Sequence, residues 1–337
     1  MPSPDKTVFL NEMFGGPERS SANALLVFKA MEGVEAEYGV DFTMLPLETL
    51  QEVFSRGVFG ARASNATLLL QQALRYARWR RDKGLPCGEG IFQVTADTGL
   101  GVRRTMVSSS AHLAAVLDQV FEPASTGSAD VLYRAWLWFA FSGLPERYSV
   151  LVAAAQLDFN AMEIRGGVRR YPIAREAVCD LRRAATAQSL IVNRSLASGA
   201  ARSSEYRRRG GNVVLRGTLS GPASESDAID IGTLRARVSR RFHEVMLNHE
   251  HEDAPPTCIA ASYKSIRTSG QFARLYDLER MGVPIDFRQI AGEEFALRQS
   301  GDKPYKLSRG VTENAIVNRI ARFTRQDYER WKQAFTV

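Results

Sequence analysis

Arginine is the chemistry-bearing residue type that this sequence concentrates. Arg75, Arg78 and Arg81 recur at i, i+3 and i+6, a spacing that keeps them near one face of a helix. Arg165, Arg169 and Arg170 flank the Gly166-Gly167 pair, Arg207, Arg208 and Arg209 stand in a row, and further arginines run through 235–241. A guanidinium is planar, permanently charged and able to fork two N–H donors onto one oxyanion, so such groups suit phosphate. The competing reading is a solvated basic surface whose cations pair with Glu and Asp. Other constellations are weaker. His243, His249 and His251 lie among Glu250, Glu252 and Asp253, but only His249 and His251 are close, and no fourth ligand is evident. A solvated polar loop is the reading, and neither a metal nor another cofactor is expected. The phrases DTGLG and GGNVVLRG lack the Lys-Ser/Thr ending of a phosphate loop. No Ser-His-Asp or Cys-His set has a local signature.

The charge is unevenly placed. Of 337 residues carrying a net charge of +7, the first 110 hold 12 Lys/Arg against 12 Asp/Glu, and the rest hold 32 against 25. The whole excess therefore lies beyond residue 110, which permits a polyanionic partner there. Cys87, Cys179 and Cys258 are far apart, as expected of buried thiols in a reducing cytoplasm. The start, MPSPDKTVFLNEMF, lacks the basic region and apolar run of a signal peptide. No stretch approaches the roughly 20 apolar residues that span a bilayer, so no membrane partner is expected.

These arginines need elements to hold them. Residues 1–18 read as irregular. Helical spacing follows at Leu25, Leu26, Phe28, Met31 and Val34, then around Leu47, Leu50 and Phe54, and again from Thr67 to Lys83, where Gly84 ends the helix. Residues 1–85 thus form a small helical module, and 86–106 a linker with a strand-like IFQVTA. Beyond it, 107–337 opens with a helix at Leu113–Val120 and a nearly all-apolar one, ADVLYRAWLWFAFSGL, which must be buried. A further helical run is read from Glu146 to Ala155. LDFNAMEIRGGVRRYPI alternates as a hairpin around its two glycines. Residues 197–229 read as a flexible basic loop or irregular insertion. Helices resume at Ile231–Leu247, Ser265–Arg280 and Glu313–Phe335.

This order of elements resembles the tyrosine recombinase (phage integrase) family over roughly residues 18–337. Two segments carry the resemblance. In SGLPERYSVLVAAAQLDFNAMEI, residues 142–164, Gly143-Leu144, Leu151 and Asp158 fall where the family has Gly-Leu-Arg, a leucine-bearing helix and the opening of the hairpin. In YKSIRTSGQFARLYDLERMGV, residues 263–283, Arg267 takes the arginine place of the family's His-x-x-Arg helix. The resemblance implies a mainly α fold with a small β-hairpin sheet. An N-terminal helical core-binding (SAM-like) domain and a C-terminal catalytic-type domain would clamp duplex DNA. It further implies a nucleoid-associated protein of phage or mobile-element type acting in DNA recombination or integration, with a C-terminal helix that can join copies into a homo-oligomer.

The catalytic set implied by the resemblance is altered. In the family, two arginines and a histidine hold the scissile phosphate, a hairpin lysine protonates the leaving oxygen and a tyrosine attacks. Here Pro145 stands in the first arginine place, with Arg147 two residues on, and Lys264 stands in the histidine place. The hairpin offers Arg165, Arg169 and Arg170 instead of lysine. Tyr305, 23 residues after Gly282, is the candidate nucleophile, and Tyr328 beside Trp331 reads as a packing residue. The candidate catalytic residues are therefore Arg267, Lys264 and Tyr305. The candidate DNA contacts are Arg75, Arg78, Arg81, Arg147, Arg165, Arg169, Arg170, Arg207, Arg208 and Arg209. Three functions follow: a double-stranded-DNA binder with degenerate catalysis, an active divergent recombinase, or a helical protein-interaction protein whose apolar stretch Tyr328–Phe335 docks on a neighbour.

Overall fold

The computed structural model describes residues 4–15, 22–55, 63–95, 98–166, 169–195, 201–218, 227–248, 258, 261–299, 304 and 311–335. It is mainly helical with two small antiparallel sheets, and its chain divides into two compact units at Arg104–Thr105. Among the described residues no helix is long and apolar enough to cross a membrane.

The first unit consists of α1 (Pro4–Phe14), α2 (Ala22–Tyr38), α3 (Leu47–Ser55), α4 (Ala63–Asp82), α5 (Gly90–Gln93) and α6 (Thr98–Thr105), whose last residue opens the second unit. The stretch read as irregular contains α1, for which Pro4 supplies a first-turn residue with φ already helical, and Phe9 and Leu10 are buried. Its core is aromatic: Phe9 and Phe28 stand edge-on to Tyr76 at 5.1 and 5.0 Å, and Tyr76 stacks on Trp79 at 5.9 Å. A polar knot lies inside it. Lys6 pairs with Glu35, and Asp41 accepts from Tyr76 Oη at 2.9 Å and from Arg80 at 2.8 Å. The first three residues of the strand-like IFQVTA instead complete the helical turn α5, and Ile91 and Val94 lie in this core. A short apolar run fits a buried helix as well as a strand, and packing decides.

The second unit is organised around one helix. It comprises α7 (Ser110–Val120), α8 (Asp130–Ser142), α9 (Glu146–Ser149), β1 (Leu157–Asp158), β2 (Glu163–Gly166), β3 (Arg169–Pro172), α10 (Ala177–Thr186), β4 (Ser189–Ser195), β5 (Ala201–Arg207), α11 (Ile231–Asn248), α12 (Tyr263–Arg280), α13 (Phe287–Gln299) and α14 (Glu313–Phe335). Every residue of α8 except Tyr133 is buried, as its all-round apolar sequence requires. Gly143 ends it at φ 100°, a conformation costly for any residue with a Cβ. The expected hairpin is present as the second half of a β1-β2-β3 meander, with Ile164 opposite Tyr171 and Gly166 opposite Arg169.

Three expectations are corrected here. The helix read from Glu146 to Ala155 shortens to the single turn α9, followed by a 3-10 turn at Ala154–Gln156. The segment 197–229, read as a flexible basic loop or irregular insertion, contains strand β5, which pairs with β4 just before it, Leu190 opposite Tyr206. The apolar stretch Tyr328–Phe335 packs within its own unit rather than being left for a neighbour. Tyr328 and Trp331 are each 1% exposed, Trp331 Nε1 donates to Val107 O at 3.0 Å and Tyr328 Oη to Glu279 at 2.7 Å.

Candidate functional site

The C-terminal end of α8 leaves carbonyl groups without intrahelical partners, and α12 satisfies them with side chains from one face. Tyr263 Oη donates to Leu144 O at 3.0 Å, Arg267 Nε to Gly143 O at 3.0 Å and Arg274 Nη1 to Phe141 O at 2.8 Å. Between them, Gly270 lets the two helices touch. The register of α12 on α8 is thereby fixed, and Ser262, whose side chain accepts from Ser265 N at 3.1 Å, fixes where α12 begins.

A cleft of about 560 Å³ opens beside this contact. Arg169, Arg170 and Tyr171 of β3 line one part, Ser142 and Gly143 another, and Arg267 and Arg274 of α12 a third; Glu293 and Glu294 of α13 lie across from them. Four arginines thus line one cleft. Burial, with Arg267 close by, lowers Arg274 to about 10, so it stays charged at neutral pH. Arg267 is held by Glu294, Nη2 to Oε2 at 3.0 Å and Nη1 to Oε1 at 3.4 Å. That carboxylate occupies the fork an incoming phosphate would use. Arg170 pairs with Glu163 at 3.0 Å across the β2–β3 ladder, on an exposed surface where such pairs exchange readily for other anions.

The sequence-derived residues are dispersed around this picture. Arg267, Arg169 and Arg170 come together in the cleft. Arg165 is exposed and ion-paired with Asp158, whose carboxyl is held below its usual range by the backbone N–H groups of Ala161 and Asn160 and by Arg165. Arg147 lies over the Tyr148 ring at 4.6 Å and donates to its hydroxyl at 2.8 Å. Lys264 is exposed one turn before Arg267, close enough to Asp327 of α14 to act on its charge, and it does not line the cleft. Tyr305 lies outside the described residues, as do His249 and His251, whereas His243 is exposed on α11.

Arg208 requires correction. It is 5% exposed and donates to Ala187 O at 3.1 Å and Val214 O at 2.6 Å, and with Arg216 it caps the C-terminal carbonyls of α10. A guanidinium so enclosed is a structural cation at a helix's negative end, not a DNA contact. Arg207 is exposed at the end of β5, and Arg209 donates to Thr218 O at 3.2 Å. In the first unit Arg75, Arg78 and Arg81 are all exposed on α4. Arg75 covers Phe14, and Arg81 covers Phe92 while pairing with Glu89 at 2.8 Å.

Sequence reasoning missed Arg274, Tyr171 and Glu294. Arg274 was within reach, because it follows Arg267 by seven residues and so returns to the same helix face. Glu294 was not, since α13 itself was not read from the sequence. Neither a known family model nor a curated protein matches this chain.

Proposed function

We propose that this protein binds double-stranded DNA as a divergent relative of the tyrosine recombinases, in recombination or integration of a mobile element, with degenerate catalysis. On this reading the first unit is a core-binding, SAM-like domain and the second a catalytic-type domain. One observation carries the reading: the two segments that resemble the family meet in space. Arg267 hydrogen-bonds Gly143 at the end of the buried helix, and hairpin arginines line the same cleft. Planar donors converging on one cleft are what a phosphodiester needs. Degenerate catalysis follows from Pro145, which carries no donor where the family has arginine, and from Lys264 outside the cleft.

A mobility-shift assay with duplex DNA at two salt concentrations tests the binding. Complex formation at low salt that weakens steeply as salt rises is expected, because phosphate contacts release counterions. No complex at low salt ends the DNA reading. A nicked suicide duplex followed by a denaturing gel should show no covalent adduct. An adduct that disappears in Tyr305→Phe would instead establish an active enzyme.

The Glu294 carboxylate gives a sharper prediction. Glu294→Gln removes a negative charge from the cleft and frees the Arg267 fork, so duplex affinity should rise about fivefold, the order of 1 kcal/mol that a partly exposed ion pair is worth. Titration of labelled duplex at fixed salt measures it. An unchanged or weaker affinity would mean that the phosphate does not reach Arg267.

A further inference from the structure

A second basic cleft, of about 480 Å³, lies at the other end of α8, lined by Ser128, Ala129 and Asp130 and by arginines of α11. Asp230 fixes the start of α11 by accepting from Thr233 N at 2.8 Å. Leu234, Val238 and Phe242 then bury one face, with Phe242 edge-on to Phe121 at 6.1 Å. That burial leaves Arg237, Arg240, Arg241 and Glu244, spaced i, i+3, i+4 and i+7, as a stripe along the cleft.

The partners of these arginines differ. Arg241 is bound to Asp130, Nη2 to Oδ2 at 3.0 Å, and to Glu244 at 3.4 Å. Asp130 also accepts from Glu122 N at 3.1 Å, so its oxygens are already engaged. Arg235, on the other side of the helix, is bound to Glu146. Arg237 and Arg240 are exposed, and neither makes an ion pair with a carboxylate among the described residues. Three guanidiniums therefore meet two carboxylates, both held by the same arginine. Tyr133, the one residue of α8 not buried, lines the cleft beside them.

We propose that this cleft is a second phosphate-binding site, in which Arg237 and Arg240 grip a phosphate group while Arg241, fixed by Asp130 and Glu244, forms its wall. The proposal is separate from the cleft at Arg267. At a rise of about 1.5 Å per residue, the 13 residues of α8 hold the two sites roughly 20 Å apart. The phosphate could belong to a nucleic-acid backbone or to a free oligophosphate, and the two sources are separable.

The test uses the full chain and two probes, duplex DNA and inorganic tripolyphosphate, on Arg237→Ala/Arg240→Ala. A charge-matched control, Arg319→Ala/Arg325→Ala, alters two exposed arginines of α14. Both arginines of the test pair are exposed, so unfolding by the substitutions is not expected, and melting without probe checks this. Tripolyphosphate should raise the melting temperature of the wild type and the control but not of the test variant. Duplex binding by the test variant should lose about one from its salt-dependence slope, for the one phosphate group gripped. If the wild type binds no duplex but its tripolyphosphate shift still depends on Arg237 and Arg240, the site stands and the DNA reading falls. The proposal is overturned if the wild type responds to neither probe, if the test variant behaves as wild type, or if the control loses as much as the test variant.

Discussion

Gly270→Ala is expected to lower the melting temperature of the second unit, although the same exchange in the middle of an ordinary helix raises stability by about 1 kcal/mol. A Cβ on Gly270 would lie 1.9 Å from Phe141 O, 2.7 Å from its carbonyl carbon and 2.9 Å from its Cα. All three are backbone atoms of α8, so no rotamer change relieves the contact, and the helices must separate. Separation lengthens the bonds from Tyr263, Arg267 and Arg274 to the end of α8 and the one from Val107 N to Ser269 Oγ at 3.1 Å. Overpacking a core costs about 1–3 kcal/mol, and with the bonds strained the upper end is expected. For a unit of this size about 3 kcal/mol is a fall of roughly 6–12 °C.

Gly292→Ala is the internal control. Gly292 lies within α13 of the same unit, and a Cβ there meets nothing within 4 Å. It should gain up to about 1 kcal/mol from helix propensity alone. Opposite shifts for the two glycines in one calorimetric experiment would establish the close crossing of α8 and α12. A gain at Gly270 would mean that the helices do not touch there, and Arg267 would lose its fixed place beside Gly143.

What could be read from the sequence divides along physical lines. Helices whose burial alternates at 3.6 residues were legible: α11, α12 and α14 begin within two residues of the predicted starts, and α8 was evident from its unbroken apolar run. The β2–β3 hairpin was legible because two glycines interrupt an alternating pattern. Elements whose boundaries depend on partners far away in sequence were not. The run from Glu146 ends after one turn because Val152 and Ala153 take up pairing with the segment after β5, Val214 N donating to Val152 O at 2.8 Å and Ala153 standing opposite Val213. That segment looked unstructured because it is poor in large apolar residues. Its order comes from Arg208 and Arg216, charged residues that sequence reading assigns to the surface. The candidate cleft was half legible for the same reason: residue type identified the hairpin arginines and the family resemblance pointed to Arg267, while Glu294 and Tyr171 enter through tertiary packing alone.

A buried charge supplies the second large effect. Arg134 stands within α8, its side chain 8% exposed, and Asp180 of α10, 3% exposed, accepts from its Nε at 2.9 Å through both carboxylate oxygens. Asp180 also accepts from Trp138 Nε1 at 2.8 Å, while Arg134 Nη2 reaches Asp118, which is 62% exposed. Asp180→Ala leaves a guanidinium in the core with only a solvent-screened partner and strips Trp138 of its acceptor. Breaking a buried pair in this way costs about 3–5 kcal/mol. Asp118→Ala, at the exposed end of the same arginine, should cost no more than about 1 kcal/mol. Denaturant unfolding of the two variants should therefore separate them by several kcal/mol, and equal losses would show that Asp180 is not the carboxylate that keeps Arg134 in the core. The double variant Arg134→Met/Asp180→Leu decides what the pair contributes. Charge and countercharge leave together, so stability should recover well above that of Asp180→Ala, short of wild type by the orphaned indole N–H, about 1–3 kcal/mol. Recovery on that scale would mean that the pair holds α10 against α8 through the cost of separating its members. α10 is the helix whose C-terminal carbonyls Arg208 and Arg216 cap, so loosening it would also loosen the segment that follows β5.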